Sequence, residues 1–216
     1  MAQRRDSPDK KTAEFIHRLE EVGAIAQNGL TFTKDPYDVE RYQRLQRLVS
    51  ELLKLNSEQS SFKIHEWLCL DRNYATPKMD VRALVIRAGE ILLVQERSDK
   101  LWTLPGGWCD INRSPRESVE REVLEESGLE VRASRLLALF DKHKHDHPPQ
   151  IPHAYKCFFL CDEKGGHLVN GTLETISAKF FPMDDLPLLS MNRVTPRQLQ
   201  LVVAIAEDPA RATAFD

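Results

Sequence analysis

Apolar residues recur every three or four positions near the start of the chain and in short branched-aliphatic runs after residue 80. In the first part Phe15, Ile16, Leu19, Val22 and Ala26 fall at helical spacing, with Thr12 as a candidate N-cap. Asn28-Gly29 reads as the stop of that helix. A second helix is predicted from Asp35 as N-cap and Pro36 at the first helical position, with Leu45, Leu48, Val49, Leu52 and Leu53 as its apolar stripe. Two helices alone bury too little surface to be stable, so this pair is expected to pack on the rest of the chain or on a second copy. The polar run NSEQSS, 56–61, reads as a linker, which predicts a helical module over 1–62 and a larger domain over 63–216.

After the linker the pattern changes. DVRALVIRAGEILLVQER predicts two strands around a turn at Gly89. LWTLPGGW continues as a short extended piece broken at Pro105-Gly106-Gly107, and SPRESVEREVLEES predicts a helix closed by Gly128. Strands are predicted at 129–141, 154–162 and 178–182, and a last helix at TPRQLQLVVAIAE with Thr195 as cap. The expected class is α/β with a mixed sheet, preceded by a small helical module.

Composition narrows the function. The chain has 216 residues with 30 Lys plus Arg against 33 Asp plus Glu, a net charge of −3, which lacks the basic footprint of a nucleic-acid-coating protein. No apolar run has the length of a membrane span, and MAQRRDSPDKK has no apolar segment behind its positive charges, so neither a membrane nor a secretory signal is expected. The four cysteines, Cys69, Cys109, Cys157 and Cys161, form no CxxC pair, which favours free thiols and a cytoplasmic location over zinc or disulfides.

The densest chemistry lies in GGWCDINRSPRESVEREVLEESGLEV, 106–131. Ser114 and Glu117 have capping-box spacing and Pro115 sits where a missing N–H is harmless, so the helix start is well specified. At about 100° per residue, Glu122, Glu125 and Glu126 point into one sector. Like charges there cost about 0.2–0.5 kcal/mol per exposed pair, and far more if desolvated without a cation. Hard divalent ions take carboxylate oxygens and leave places for water and phosphate oxygens, so the pattern suits a Mg²⁺ or Mn²⁺ site. A solvated acidic face is the alternative reading of EREVLEES alone.

Gly107, Arg121, Glu122, Val123, Glu125, Glu126, Gly128 and Leu129 match the Nudix box at every spacing. The chain therefore resembles the Nudix hydrolases. YATPKMDVRALV, KLWTLPGGWCD, FDKHKHDHPP, LPLLSMNRVTP and the leading GLTFTKDPYDVERYQRL extend the likeness to a bacterial subfamily with an N-terminal helical module. Its members include CDP-choline pyrophosphatases and proteins described as ADP-ribose pyrophosphatases. The resemblance implies an α/β/α sandwich, divalent metal at Glu122, Glu125 and Glu126, an added ligand from the Gly106 carbonyl, and a helical module that dimerises the chain or forms a lid.

Two positions depart from the pattern. Arg113 stands where the family has its first glutamate, which there braces the arginine matched by Arg121. Two guanidinium groups 4 Å apart repel by about 4 kcal/mol at an effective dielectric of about 20, so Arg113 is expected to turn outward. Glu117 or Asp110 is then expected to brace Arg121 instead. In GTLETISAKFF, Glu174 remains as a candidate base or metal ligand, while Ser177 occupies the place of a second glutamate.

Other candidates are less specific. His145 and His147, with His143, alternate in DKHKHDHPPQIPH and are read as contacts to a substrate's phosphate or its attached group, as a solvated loop, or as a zinc or nickel site. Tyr74, Trp102 and Trp108 could stack on a base, with core packing favoured for Trp102 because apolar residues flank it. Lys78 and Arg82 could meet phosphates or mark a solvated strand end. Cys157 and Cys161 are expected to share a core face.

The expected activity is metal-dependent hydrolysis of a nucleoside diphosphate linked to X, giving a nucleoside monophosphate and phosphorylated X, by a homodimer. A catalytically weakened nucleotide sensor and an RNA-processing enzyme are the alternatives. The first is favoured by Arg113 and Ser177 and opposed by the retained glutamates. The second lacks an electrostatic footprint.

Overall fold

The structure, a computed structural model, describes residues 10–55 and 74–216, in two compact units. The expected linker 56–61, the expected boundary at 62–63, and Cys69 lie outside the described residues.

The first unit contains α1 (Lys10–Phe32) and α2 (Pro36–Leu55), with Leu19, Val49 and Leu53 as its small core. The Asp35 carboxylate accepts the N–H groups of Tyr37 and Asp38, as an N-cap should. Asn28-Gly29 does not stop α1, which runs on to Phe32 and still bonds Thr33 N–H to the Gly29 carbonyl at 2.9 Å. The dipeptide serves packing instead. The Asn28 side chain accepts the Ala75 N–H at 2.7 Å, and a β-carbon on Gly29 would come within 2.4 Å of the Tyr42 ring on α2. A turn signal was overridden because a tertiary contact needed a residue without a side chain.

The second unit holds two four-stranded sheets. One is mixed, in the order β1 (Lys78–Leu84), β6 (Ala154–Gly166), β5 (Leu129–Asp141) and β8 (Ala214–Phe215). β1 pairs parallel to β6, and β5 pairs antiparallel to β6 and parallel to β8. The other is antiparallel, with β3 (Glu90–Glu96) between β2 (Ile86–Arg87), β4 (Trp102–Thr103) and β7 (Thr175–Pro182). The run Ile91–Val94 is buried throughout, as expected for a strand covered on both faces. β6 continues to Gly166 and β7 starts at Thr175, both longer than predicted. Polar EKGG is held in extended form by pairing against β5, where ladder partners outweigh local propensity.

Strand alternation sorts β1 into two faces. Val81 and Ala83 join a core with Val119 and Val123 of α3 (Pro115–Ser127), Cys157 and Cys161. Leu84 joins a second core with Leu104, Phe158 and the α4 (Pro196–Glu207) residues Leu199, Val202 and Ile205. Helices thus cover the sheets in an α/β/α arrangement. Asp80 and Arg82 share the Leu84 face, which carries them into a buried place.

Candidate active site

The helix α3 begins as its sequence dictates. Ser114 Oγ accepts the Glu117 N–H, Glu117 returns the bond to Ser114 N–H at 2.8 Å, and Gly128 closes the helix at φ +77°. These caps fix the rotation of the helix, so Glu122 and Glu126 face inward, 9% and 3% exposed. Glu125 projects outward.

Oxygens of Glu122, Glu126 and Glu174 lie within 4.8 Å of one another. Glu174 reaches the pair from the loop entering β7, where its backbone carbonyl accepts the Arg97 N–H at 3.0 Å. Burial, then the Glu174 charge, pushes the Glu122 carboxyl up to about 7. Burial pushes Glu126 up to about 8, against the opposing pull of Arg82 and the Gly106 N–H. Three crowded carboxylate oxygens with two acids that resist ionisation form a hard-oxygen donor set, and that set fits a divalent cation such as Mg²⁺.

The loop before α3 shapes this cluster. Gly106 has φ +143° and donates its N–H to Glu126 Oε2 at 2.8 Å. A β-carbon there would meet the Val81 carbonyl oxygen at 1.9 Å, so only glycine brings the backbone this close. The carbonyls of Pro105 and Gly107 are taken by Ala83 and Val81 N–H, and among the described residues no hydrogen bond uses the Gly106 carbonyl between them. A side chain on Gly107 would crowd Glu122 Oε1 at 3.0 Å.

Arg121 is braced by Asp110 at 2.8 Å and lies 3.4 Å from Glu125. Glu117 is occupied by the cap of its own helix, so of the two braces expected only Asp110 acts. Arg113 is exposed, 3.9 Å from the same Asp110 carboxylate, so it turns aside from Arg121 without leaving the loop's ion pairs. The structure therefore divides the expected glutamate triad. Glu122 and Glu126 join Glu174, while Glu125 pairs with Arg121.

Arg82 is neither a solvated strand end nor free for phosphate. It is 4% exposed, with Nε and Nη2 on Asp80 at 2.9 and 2.8 Å and Nη1 on the Leu104 carbonyl at 3.2 Å. Lys156, 2% exposed and opposite Asp80 in the β1–β6 register, donates to Asp80 Oδ1 at 2.8 Å. Burial alone would raise the Asp80 pKa, but the two cations hold it well below the usual carboxylate range. Burial pulls Lys156 down to about 8, and Arg82, paired with Asp80, stays charged beside Glu126 and Glu96. The sequence reading missed this network. The signal was available: two charged residues two apart on an otherwise apolar strand must share a face.

The remaining candidates scatter. Lys78 starts β1 on the surface, and Trp108 is half exposed with its backbone bridged to Asp80. His143 lies in a single 3₁₀ turn, Lys142–Lys144, so the three histidines do not share a strand face. His145 Nε2 lies 3.2 Å from Asp216, and His147 Nδ1 bonds the Met191 carbonyl at 2.7 Å. Burial pulls His147 down to about 4, which keeps it neutral. Ser177 Oγ meets Asn170 at 3.0 Å. Tyr74 packs edge-on to Phe32, and Trp102 packs on Phe181 in the core.

Comparison with known proteins agrees with this geometry. Residues 76–202 match the NUDIX domain, and residues 13–68 match a domain described as UDP-X-like, N-terminal oligomerisation. YjhB of Bacillus subtilis (strain 168), whose name carries ADP-ribose pyrophosphatase as a provisional assignment, is 45% identical over 96% of this chain and 99% of its own. A crystal structure of a UDP-X diphosphatase is 36% identical with a TM-score of 0.62, covering 95% of this chain and 99% of that one. An ADP-ribose pyrophosphatase from Streptococcus suis 89-1591 is 43% identical with a TM-score of 0.60, over 65% of this chain and 100% of its own. A glutamate helix capped at both ends, a glycine loop bonded to its inner carboxylate, and relatives that match from end to end lead to one conclusion: the chain belongs to the Nudix hydrolase family.

Proposed function

We propose that the protein is a divalent-metal-dependent pyrophosphohydrolase acting on a nucleoside diphosphate linked to a second group X. The observation that carries this reading is the convergence of Glu122, Glu126 and Glu174, two of them buried, around one point. Glu122 and Glu126 would hold Mg²⁺ or Mn²⁺, with the Gly106 carbonyl as a further donor, Glu174 at the edge of the cluster and Glu125 at the rim. When bound there, such an ion would supply neutralisation of charge on the pyrophosphate and a more acidic water.

The chain's own groups supply the rest. Gly106 N–H fixes the Glu126 carboxylate, and Asp110 holds Arg121 across the mouth of the glutamate turn. Glu174, the exposed member of the cluster, takes a proton from the attacking water as its oxygen bonds to phosphorus. The anhydride P–O bond breaks, and a nucleoside monophosphate and phosphorylated X leave. Lys78 and Trp108 contact the substrate outside the reacting phosphorus, whereas His145 and His147 are engaged by Asp216 and the Met191 carbonyl.

An X of the ADP-ribose or CDP-choline kind is the proposed substrate class, supported by the provisional name of YjhB and by the UDP-X diphosphatase structure. Residues 1–62 form the oligomerisation module of a homodimer over a 63–216 hydrolase domain, consistent with Phe15, Leu48 and Leu52 exposed on its helices. The proposed location is cytoplasmic; among the described residues no helix is long and apolar enough to cross a membrane.

The test is incubation with Mg²⁺ or Mn²⁺ and ADP-ribose, CDP-choline, UDP-sugars or nucleoside triphosphates, with products read by mass spectrometry and Glu126→Gln as control. Cleavage of a diphosphate substrate lost in the control supports the reading. Full activity in the control removes it.

A further inference from the structure

A second place where polar groups converge lies at the start of α4. A cavity of about 230 Å³ opens there, lined in part by Lys144, His145, Asp146, Arg197, Gln198 and Asp216. A water takes about 30 Å³ in the liquid, so the space exceeds a phosphate group. None of its lining residues belongs to the carboxylate cluster.

Gln198 supplies the key observation. Its Oε1 accepts the Thr195 N–H at 3.2 Å, completing a capping box. That bond uses only the oxygen. The amide Nε2, in a residue 1% exposed, has no partner among the described residues. A buried donor without an acceptor is destabilising, so the group is suited to an acceptor that arrives from outside. Glu117 does the same capping work for α3 with a carboxylate, which shows that the cap itself does not demand an amide.

The surroundings favour an anion. Neither Lys144 nor Arg197 enters an ion pair among the described residues, and both are exposed at the cavity. The Arg197 backbone N–H, in the first turn of α4, has no intrahelical acceptor and carries the positive end of the helix dipole. Of the two acids, Asp216 is engaged by the Asp141 N–H at 2.7 Å and by His145 at 3.2 Å. Asp146 remains, and it selects for a ligand that also carries a hydroxyl donor.

We propose that this cavity binds a phosphate monoester, held by Arg197, Lys144 and the Gln198 amide, with Asp146 accepting from a neighbouring hydroxyl. The claim does not rest on the chemistry assigned to the carboxylate cluster. Ribose 5-phosphate and inorganic phosphate, titrated calorimetrically into the full-length protein, are the probes. Saturable one-site binding is expected, with ribose 5-phosphate the tighter. Lys144→Ala with Arg197→Ala, both on the surface, should weaken it at least about tenfold, as should Gln198→Glu, which keeps a capping oxygen but replaces the amide donor with a negatively charged acceptor.

Binding absent in the wild type, or equal in all the proteins, overturns the site. Two sources of the phosphate are separated by repeating the titration on Glu126→Gln protein saturated with nucleotide. Displacement identifies the phosphate of a nucleotide as its ligand. Persistence identifies a free phosphate monoester as its ligand.

Discussion

Arg121 Nη2 sits 2.8 Å from Asp110 Oδ2, so the arginine heading the glutamate turn is braced from the preceding loop and not from position 113. This contact replaces the one that Arg113 removes. Asp110→Ala should therefore lower kcat about 10–100-fold, as losing an orienting partner commonly does, with little change in Tm because the pair is half exposed. Arg113→Glu in that background should restore most of the loss, since it returns a carboxylate to the position the family uses. Steady-state kinetics of the two variants check this, and failure of the second to recover would show that the brace is not interchangeable.

The raised acids make stability depend on pH in a particular sense. Glu122 and Glu126 titrate near 7 and 8 when folded, against 4.5 for an ordinary glutamate. Between these values the folded state binds more protons than the unfolded one, so without a cation stability falls as pH rises from about 4.5 through 8. Mg²⁺ competes with those protons. Its stabilising shift in Tm should be larger at pH 9 than at pH 6, read by calorimetry with and without EDTA. An equal shift at both pH values would contradict the assigned site.

Asp80→Asn should be severe. It leaves Arg82 and Lys156 buried together without their shared anion, at a cost of about 3–5 kcal/mol. Asp80→Asn with Lys156→Met removes one of the two stranded cations and should recover part of it. Urea denaturation of the variants measures both.

Gly106→Ala should abolish turnover while the helical module is untouched, because the added carbon meets the Val81 carbonyl and displaces the N–H that holds Glu126. Gly29→Ala offers the matching control in the other unit. Its clash with Tyr42 should cost about 1–3 kcal/mol, more than the roughly 1 kcal/mol that alanine gains in a helix. In a Tyr42→Ala background the same change should stabilise. Thermal melts of the four proteins form the cycle.

What the sequence disclosed follows its physics. The caps of α3 and α4 are local, so Ser114, Pro115, Gly128 and Thr195 could be placed from spacing alone, and Glu122 and Glu126 followed, although the same spacing wrongly put Glu125 with them. Glu174 was readable as a candidate, but its arrival beside Glu122 depends on β7 pairing with β3, which no local pattern states. Arg82 was misjudged for the same reason. Its partner Lys156 is far along the chain, and only the parallel β1–β6 register puts the two on one carboxylate. Asn28-Gly29 misled because the same dipeptide serves a turn or a close contact, and Tyr42 decides between them.

That parallel register also orders events in the life of the chain. Asp80 and Lys156 stand 76 residues apart, and β1 cannot bury its charged face until β6 has been made. A nascent chain ending before residue 154 carries Asp80 and Arg82 on a strand paired along only one edge, by the 105–109 segment. Synthesis at about 5–20 residues per second leaves that interval open for seconds, long enough for a chaperone to bind. A ribosome stalled between β5 and β6 would hold a polypeptide whose glutamate helix has been made but whose Lys156, the second cation on Asp80, has not.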